Sequence, residues 1–133
     1  MPKRPNLTAA ELDRIAEMTE VQKLPAWKIA RRIGCSLGSV TWAQLRIGAD
    51  PRPDRPLPPV PTAPVACVRN GALVRRFTQA DDDLLLALEA QGLNYGQIGR
   101  SFDPPRQPNS IQGRLMTLSR RAARVEAREM EAA

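Results

Sequence analysis

Histidine is absent from the 133 residues, which removes the commonest general base and metal ligand. The two cysteines, Cys35 and Cys67, show no Cys-x-x-Cys spacing, so zinc binding and Cys–His catalysis are excluded and no structural disulfide is implied. There is no glycine-rich phosphate loop, and the carboxylates fall at helix starts or in solvated tails. The expectation is a non-enzyme with no catalytic residue, no metal and no cofactor. Aromatic residues are few, two Trp, one Tyr and two Phe, which suits short helices better than a β-sandwich or barrel. No apolar run is long enough for a membrane span, and Met1-Pro2-Lys3-Arg4-Pro5 lacks the apolar core of a signal peptide. A cytoplasmic, nucleoid-associated protein with no membrane partner is expected.

What is plentiful is Ala, Leu, Arg and Pro. Lys and Arg outnumber Asp and Glu by 20 to 14, for a formal charge of +6, in the direction of a nucleic-acid binder. Seven of the 13 prolines, Pro51, Pro53, Pro56, Pro58, Pro59, Pro61 and Pro64, fall in one segment. No helix or central strand survives that density, so residues 49–74 read as a semi-rigid, extended linker. It separates a first module, 1–48, from a second, 75–133.

Each module opens on a capping box, Thr8-Ala9-Ala10-Glu11 in one and Thr78-Gln79-Ala80-Asp81 in the other. A second helix is expected at Ala26 to Ile33 and at Tyr95 to Phe102. After a turn, a third begins at Leu37 in the first module, running to Ile47, and near Ser110-Ile111 in the second. Helix, helix, tight turn, helix, twice over, is a degenerate duplication of the trihelical plan. The fold class is therefore all-α, two small helix-turn-helix modules joined by a Pro-rich linker.

In the last helix Ile111, Leu115, Leu118, Ala122 and Val125 form one apolar stripe. Arg114, Arg121, Arg124 and Arg128 lie along its flank, with Ser110 and Thr117 among them. That pattern suits a recognition helix with Ser110, Gln112 and Arg114 near its start as base readers and the later arginines on phosphates. In the first module Val40, Ala43 and Ile47 are expected inside, leaving Ser39, Thr41, Gln44 and Arg46 for DNA; Trp42 either packs on sugar or a thymine methyl or covers the bundle's edge. The basic pairs Lys3-Arg4 and Arg75-Arg76, each ahead of a first helix, are placed to enter a minor groove or touch phosphate, as homeodomain arms are. Arg106 completes the candidate set.

The second module resembles a Myb/SANT-type repeat. Phe77-Thr78-Gln79-Ala80-Asp81-Asp82-Asp83 is similar to that family's opening aromatic-Thr-x-x-acidic string, and Tyr95-Gly96-Gln97-Ile98-Gly99 to its aromatic-x-x-Ile-small string. Arg106-Gln107-Pro108-Asn109-Ser110-Ile111-Gln112-Gly113-Arg114-Leu115 is similar to the stretch leading into its third helix. The likeness covers roughly residues 76 to 119. Phe77 and Tyr95 stand where the family has tryptophan, and Leu115 or Leu118 takes the third core position. In the first module Leu7, Trp27 and Ile47 resemble the spacing of the family's core triad, and the string from Trp27 to Val40 looks like the helix-turn-helix of small bacterial regulators. The resemblance implies two linked homeodomain-like modules binding double-stranded DNA, as in bacterial, phage or mobile-element transcription regulators.

A protein-interaction adaptor is the alternative, one repeat binding RNA polymerase, a sigma factor or another regulator through Asp81, Asp82 and Asp83. Those aspartates are read first as favourable charges at a helix start. A weak homodimer through the apolar stripe of the last helix is the third reading, on a seam of barely two heptads, short of the three or four that support a coiled coil.

Overall fold

The computed structural model describes residues 6–132 and contains six helices and one β-hairpin. The chain is mostly helical but not all-α. Contacts divide it into two units, one holding the chain up to Pro56 together with Met116 onward, the other Leu57–Leu115.

In the first unit, α1 (Ala9–Glu20) starts where Thr8 and Glu11 cap each other's backbone N–H, as its capping box predicts. Helix α2 (Ala26–Ile33) ends at Gly34, whose φ of 82° is left-handed and suits glycine. Helix α3 (Leu37–Ile47) then begins at Ser36, whose hydroxyl accepts from the Ser39 N–H at 3.1 Å. Both sets of bounds match those expected from the sequence. Ile15, Met18, Ile29, Ala30, Ile33, Val40 and Ala43 form the core, with Leu7, Leu12 and Leu24 packed around it. Inside it the Gln44 amide donates to the Thr19 hydroxyl at 3.0 Å, which donates to the Ile15 carbonyl at 2.7 Å. Trp27 and Ile47 are exposed, so of the evenly spaced triad only Leu7 packs on the core; α2 turns Ile29 and Ile33 inward instead.

In the second unit, residues expected to be linker form strands β1 (Ala66–Arg69) and β2 (Ala72–Arg75), antiparallel, pairing Ala66 with Arg75 and Val68 with Leu73. The turn is Asn70-Gly71, both at positive φ, 53° and 77°, the geometry that matches the twist of paired strands in a two-residue hairpin. The proline segment ahead of it is tied down as well: the Pro61 carbonyl accepts from the Gln79 N–H and the Val65 carbonyl from the Arg76 N–H, each at 2.9 Å. Residues 61–74 are thus held to the chain that follows them.

Helix α4 (Gln79–Ala90) opens on the expected Thr78–Asp81 capping box. Helix α5 (Tyr95–Arg100) opens on a further one, Asn94–Gln97, and is shorter than expected. Helix α6 (Pro108–Ala132) contributes Pro108 to Leu115 to this unit. The buried apolar residues are Leu85, Ile98, Phe102, Ile111 and Leu115, and Phe77 meets Phe102 edge to face at 6.2 Å. Tyr95 is exposed. Gly99 admits no side chain, because a Cβ there would run into the Arg106 carbonyl.

Candidate nucleic-acid interface

The arginines expected to face DNA from the second module are mostly spent inside the protein. Arg114 donates from Nε and Nη2 to both carboxylate oxygens of Asp82, each at 2.7 Å, and Asp82 is 2% exposed. A bidentate pair of this kind fixes both groups, and it withdraws Arg114 from any base edge. Arg106 stacks 3.8 Å above the Phe77 ring and donates to the Arg75 carbonyl at 3.0 Å and the Asp81 carboxylate at 3.4 Å. Arg75 itself donates to the carbonyls of Asp103 and Pro104, at 3.2 and 2.9 Å. These three residues are therefore struts of the second unit. Thr117 and Arg121 are half-buried and already engaged within the protein, and Gln112 is half-buried. Ser110 and Arg76 remain exposed.

Arg124 is buried in the first unit, where it donates to both Asp50 oxygens at 2.7 and 2.6 Å and to the Arg55 carbonyl at 3.1 Å. Arg120 adds a bond to the Ala49 carbonyl at 3.1 Å. Ala122 and Val125 point outward while Ile111 and Leu115 are buried. The supposed dimer seam is therefore partly core, and an arginine of its flank packs inward. Burial raises the Asp50 pKa, but the bonds from the Arg124 side chain and the Arg52 backbone, with the charges of Arg124 and Arg120, outweigh it, and the net shift is downward. A carboxylate held below its unfolded value of about 3.9 stabilises the fold above that value, and the stability is lost as pH falls through the folded one. The first unit is expected to lose stability below about pH 4, and Asp50→Asn to flatten that limb in chemical-denaturation curves taken between pH 7 and pH 2.

Asp81, Asp82 and Asp83 do not form a free acidic patch. Asp81 serves the capping box, Asp82 holds Arg114, and Asp83 accepts from the Gln79 amide at 3.0 Å. The capping reading holds for Asp81; the ion pair of Asp82 gives no local signal.

The first unit keeps its candidates on the surface, with one exception. Gln44 is 2% exposed and bonded to Thr19, so it is a core residue: at α3's pitch it falls beside Val40. Ser39, Thr41 and Arg46 are exposed and Trp42 is 42% exposed. Ser39, Trp42 and Arg46 follow i, i+3, i+7 spacing along one stripe, and with Asn6, Leu7 and Ser36 they line a groove of about 630 Å³. Lys3 and Arg4 lie outside the described residues.

One signal in the sequence went unread. Residues 21–49 hold Lys23, Lys28, Arg31, Arg32 and Arg46 and no Asp or Glu, and all five cations are exposed. This stretch is the turn ahead of α2 with Lys23, then α2, the next turn and α3, so four of the five cations sit on the same element pair as the exposed α3 stripe. Among the described residues no cluster of His, Cys, Asp or Glu suits a metal ion, both cysteines are free, and no helix is long and apolar enough to cross a membrane. Comparison of the chain with protein-family models, with curated proteins and with solved structures finds no match.

Proposed function

We propose that the chain binds double-stranded DNA through α2 and α3 of its first unit, used as a helix-turn-helix, with α3 lying in the major groove. The observation that carries this reading is the acid-free run 21–49 with its five exposed cations. Exposed cations release counterions from the phosphate backbone, and this supplies the sequence-independent part of affinity. The Arg46 guanidinium offers donors for base edges, the Ser39 and Thr41 hydroxyls, bonded to the Ser36 hydroxyl and the Gly38 carbonyl, keep acceptor lone pairs, and Trp42 offers an apolar ring for a thymine methyl. Groove dimensions fit, since the major groove admits a helix. The use is transcription regulation of the bacterial or phage kind, and the likeness of the second unit to Myb/SANT repeats points the same way. That unit, however, keeps Arg114 and Arg106 for its own framework.

The test is fluorescence anisotropy of the intact chain on a random-sequence 30-bp duplex pool across a salt series. Affinity should fall steeply with salt, with a log–log slope near −0.9 for each phosphate neutralised. Trp42→Ala/Arg46→Ala is expected to abolish sequence enrichment in the bound pool while leaving the melting curve unchanged. A variant that enriches the same sites as the wild type overturns the assignment to α3.

A further inference from the structure

Helix α2 turns Ile29, Ala30 and Ile33 to the core and leaves Trp27, Lys28, Arg31 and Arg32 exposed. Trp27 and Arg31, like Lys28 and Arg32, stand one turn apart, so the indole and three cations share the outer side of the helix. Trp27 is 53% exposed, although tryptophan is on average highly buried. Duplex binding gives its ring no task. The backbone that the first helix of a helix-turn-helix crosses offers sugars and phosphates, and paired bases show their edges in the grooves, not their faces. The Arg31 guanidinium lies 6.0 Å from the Trp27 ring centre, whereas Arg106 stacks on Phe77 at 3.8 Å. The Trp27–Arg31 pair thus stands short of full contact. A base stacked between two planes requires about 7 Å, twice a contact distance of about 3.5 Å, and a small rotation of the exposed Arg31 side chain supplies it.

We propose that the DNA this chain prefers carries an unpaired strand beside the duplex, with one base stacked between Trp27 and Arg31 and the strand's phosphates on Lys28 and Arg32. The inference rests on the reading of the chain as a duplex binder through α2 and α3, and adds the class of DNA bound. Charge complementarity selects a polyanion, since α2 holds three exposed cations and no acid. The ring selects the unpaired strand. Base–aromatic stacking needs an open base face and tolerates any sequence, and arginine planes stack on splayed bases in the same way. Within a duplex those faces are taken by the neighbouring pairs. Trp27 therefore acts on the unpaired strand alone, whereas the cations serve phosphates of either kind.

The experiment titrates the full chain by fluorescence anisotropy against a labelled 30-bp random-sequence duplex, either blunt or extended by a single-stranded tail of about ten thymidines or of abasic sites, on the 3′ or the 5′ end. The two kinds of tail carry equal phosphate charge, so their difference reports the bases. The wild type is expected to bind the thymidine tail of one polarity about 10-fold more tightly than the matching abasic tail. Trp27→Leu, which keeps apolar bulk without a π-face, should abolish that preference and leave blunt-duplex affinity unchanged, with melting curves as the folding control; Trp27→Phe should keep most of it. In Trp42→Phe, where Trp27 is the one remaining tryptophan, emission should be quenched by the thymidine tail and not by the blunt duplex. Equal wild-type affinity for thymidine and abasic tails of both polarities overturns the proposal and leaves the duplex reading standing. A preference that survives Trp27→Leu overturns it as well, by placing the stacking elsewhere. If the wild type binds none of these DNAs even at low salt, both readings fall together.

Discussion

Replacing Asp82 with alanine is expected to destabilise the second unit by about 3–5 kcal/mol, the cost of leaving the partner of a buried ion pair uncompensated. Asp82 is buried under α6 and holds Arg114 through two bonds of 2.7 Å, while Arg114 also lies 5.5 Å from the Phe77 ring centre. Without the carboxylate, the guanidinium must find water through a site closed by its neighbours. The unit has few apolar core residues from which to absorb the loss, and small domains have only about 5–15 kcal/mol in total. Asp82→Asn should recover part of the stability, since the amide oxygen can still accept one bond. Removing both partners, in Asp82→Leu/Arg114→Met, should cost less than Asp82→Ala, because no charge is then stranded. Urea denaturation followed by circular dichroism reads all three. A loss below about 1 kcal/mol for Asp82→Ala would mean that the pair behaves like an exposed one.

Reversing the charge on α2, with Arg31→Glu and Arg32→Glu together, is expected to reduce affinity for a random-sequence duplex at least about 100-fold at low salt. The run 21–49 falls from five cations and no acid to three cations and two acids, so attraction to phosphate nearly vanishes where it is now densest. Both side chains are exposed, and exposed substitutions of this kind usually change stability by about 0.5 kcal/mol or less. The loss therefore reports on binding and not on folding. The same double reversal at Arg120 and Arg124 cannot be read this way, because those residues hold Ala49 and Asp50.

Helix bounds were the most legible feature of the sequence, because they are set by residues close in the chain. Thr8 with Glu11, Ser36, Gly34 and Thr78 with Asp81 mark starts and stops through bonds spanning three or four residues. The hairpin was legible too, since Asn70-Gly71 between Val68 and Leu73 is a strong two-residue turn signal, but the prolines before it drew residues 66–74 into the linker. The fate of the α6 arginines was not legible. Helical periodicity shows that Arg114, Arg121 and Arg124 share a flank, yet what that flank meets is decided by Asp82 and Asp50, 32 and 74 residues away in sequence. A cationic stripe therefore looks the same whether it faces phosphate or a carboxylate. Gln44 fails for a related reason, its partner Thr19 lying on another helix. Charge over the run 21–49 carries more weight, because all five of its cations are exposed.

The most direct measurement is a titration of the isotope-labelled chain with a 30-bp duplex, following backbone amides, the Trp42 indole N–H and the arginine Nε–H signals by NMR. The expected result is a set of shifts centred on Ser39, Thr41, Trp42 and Arg46 and on the exposed cations of α2, with the Nε–H signals of Arg114 and Arg124 unmoved. Shifts centred on Arg114, Arg121 and Arg124, with α3 of the first unit silent, would contradict the placement of the DNA-binding surface.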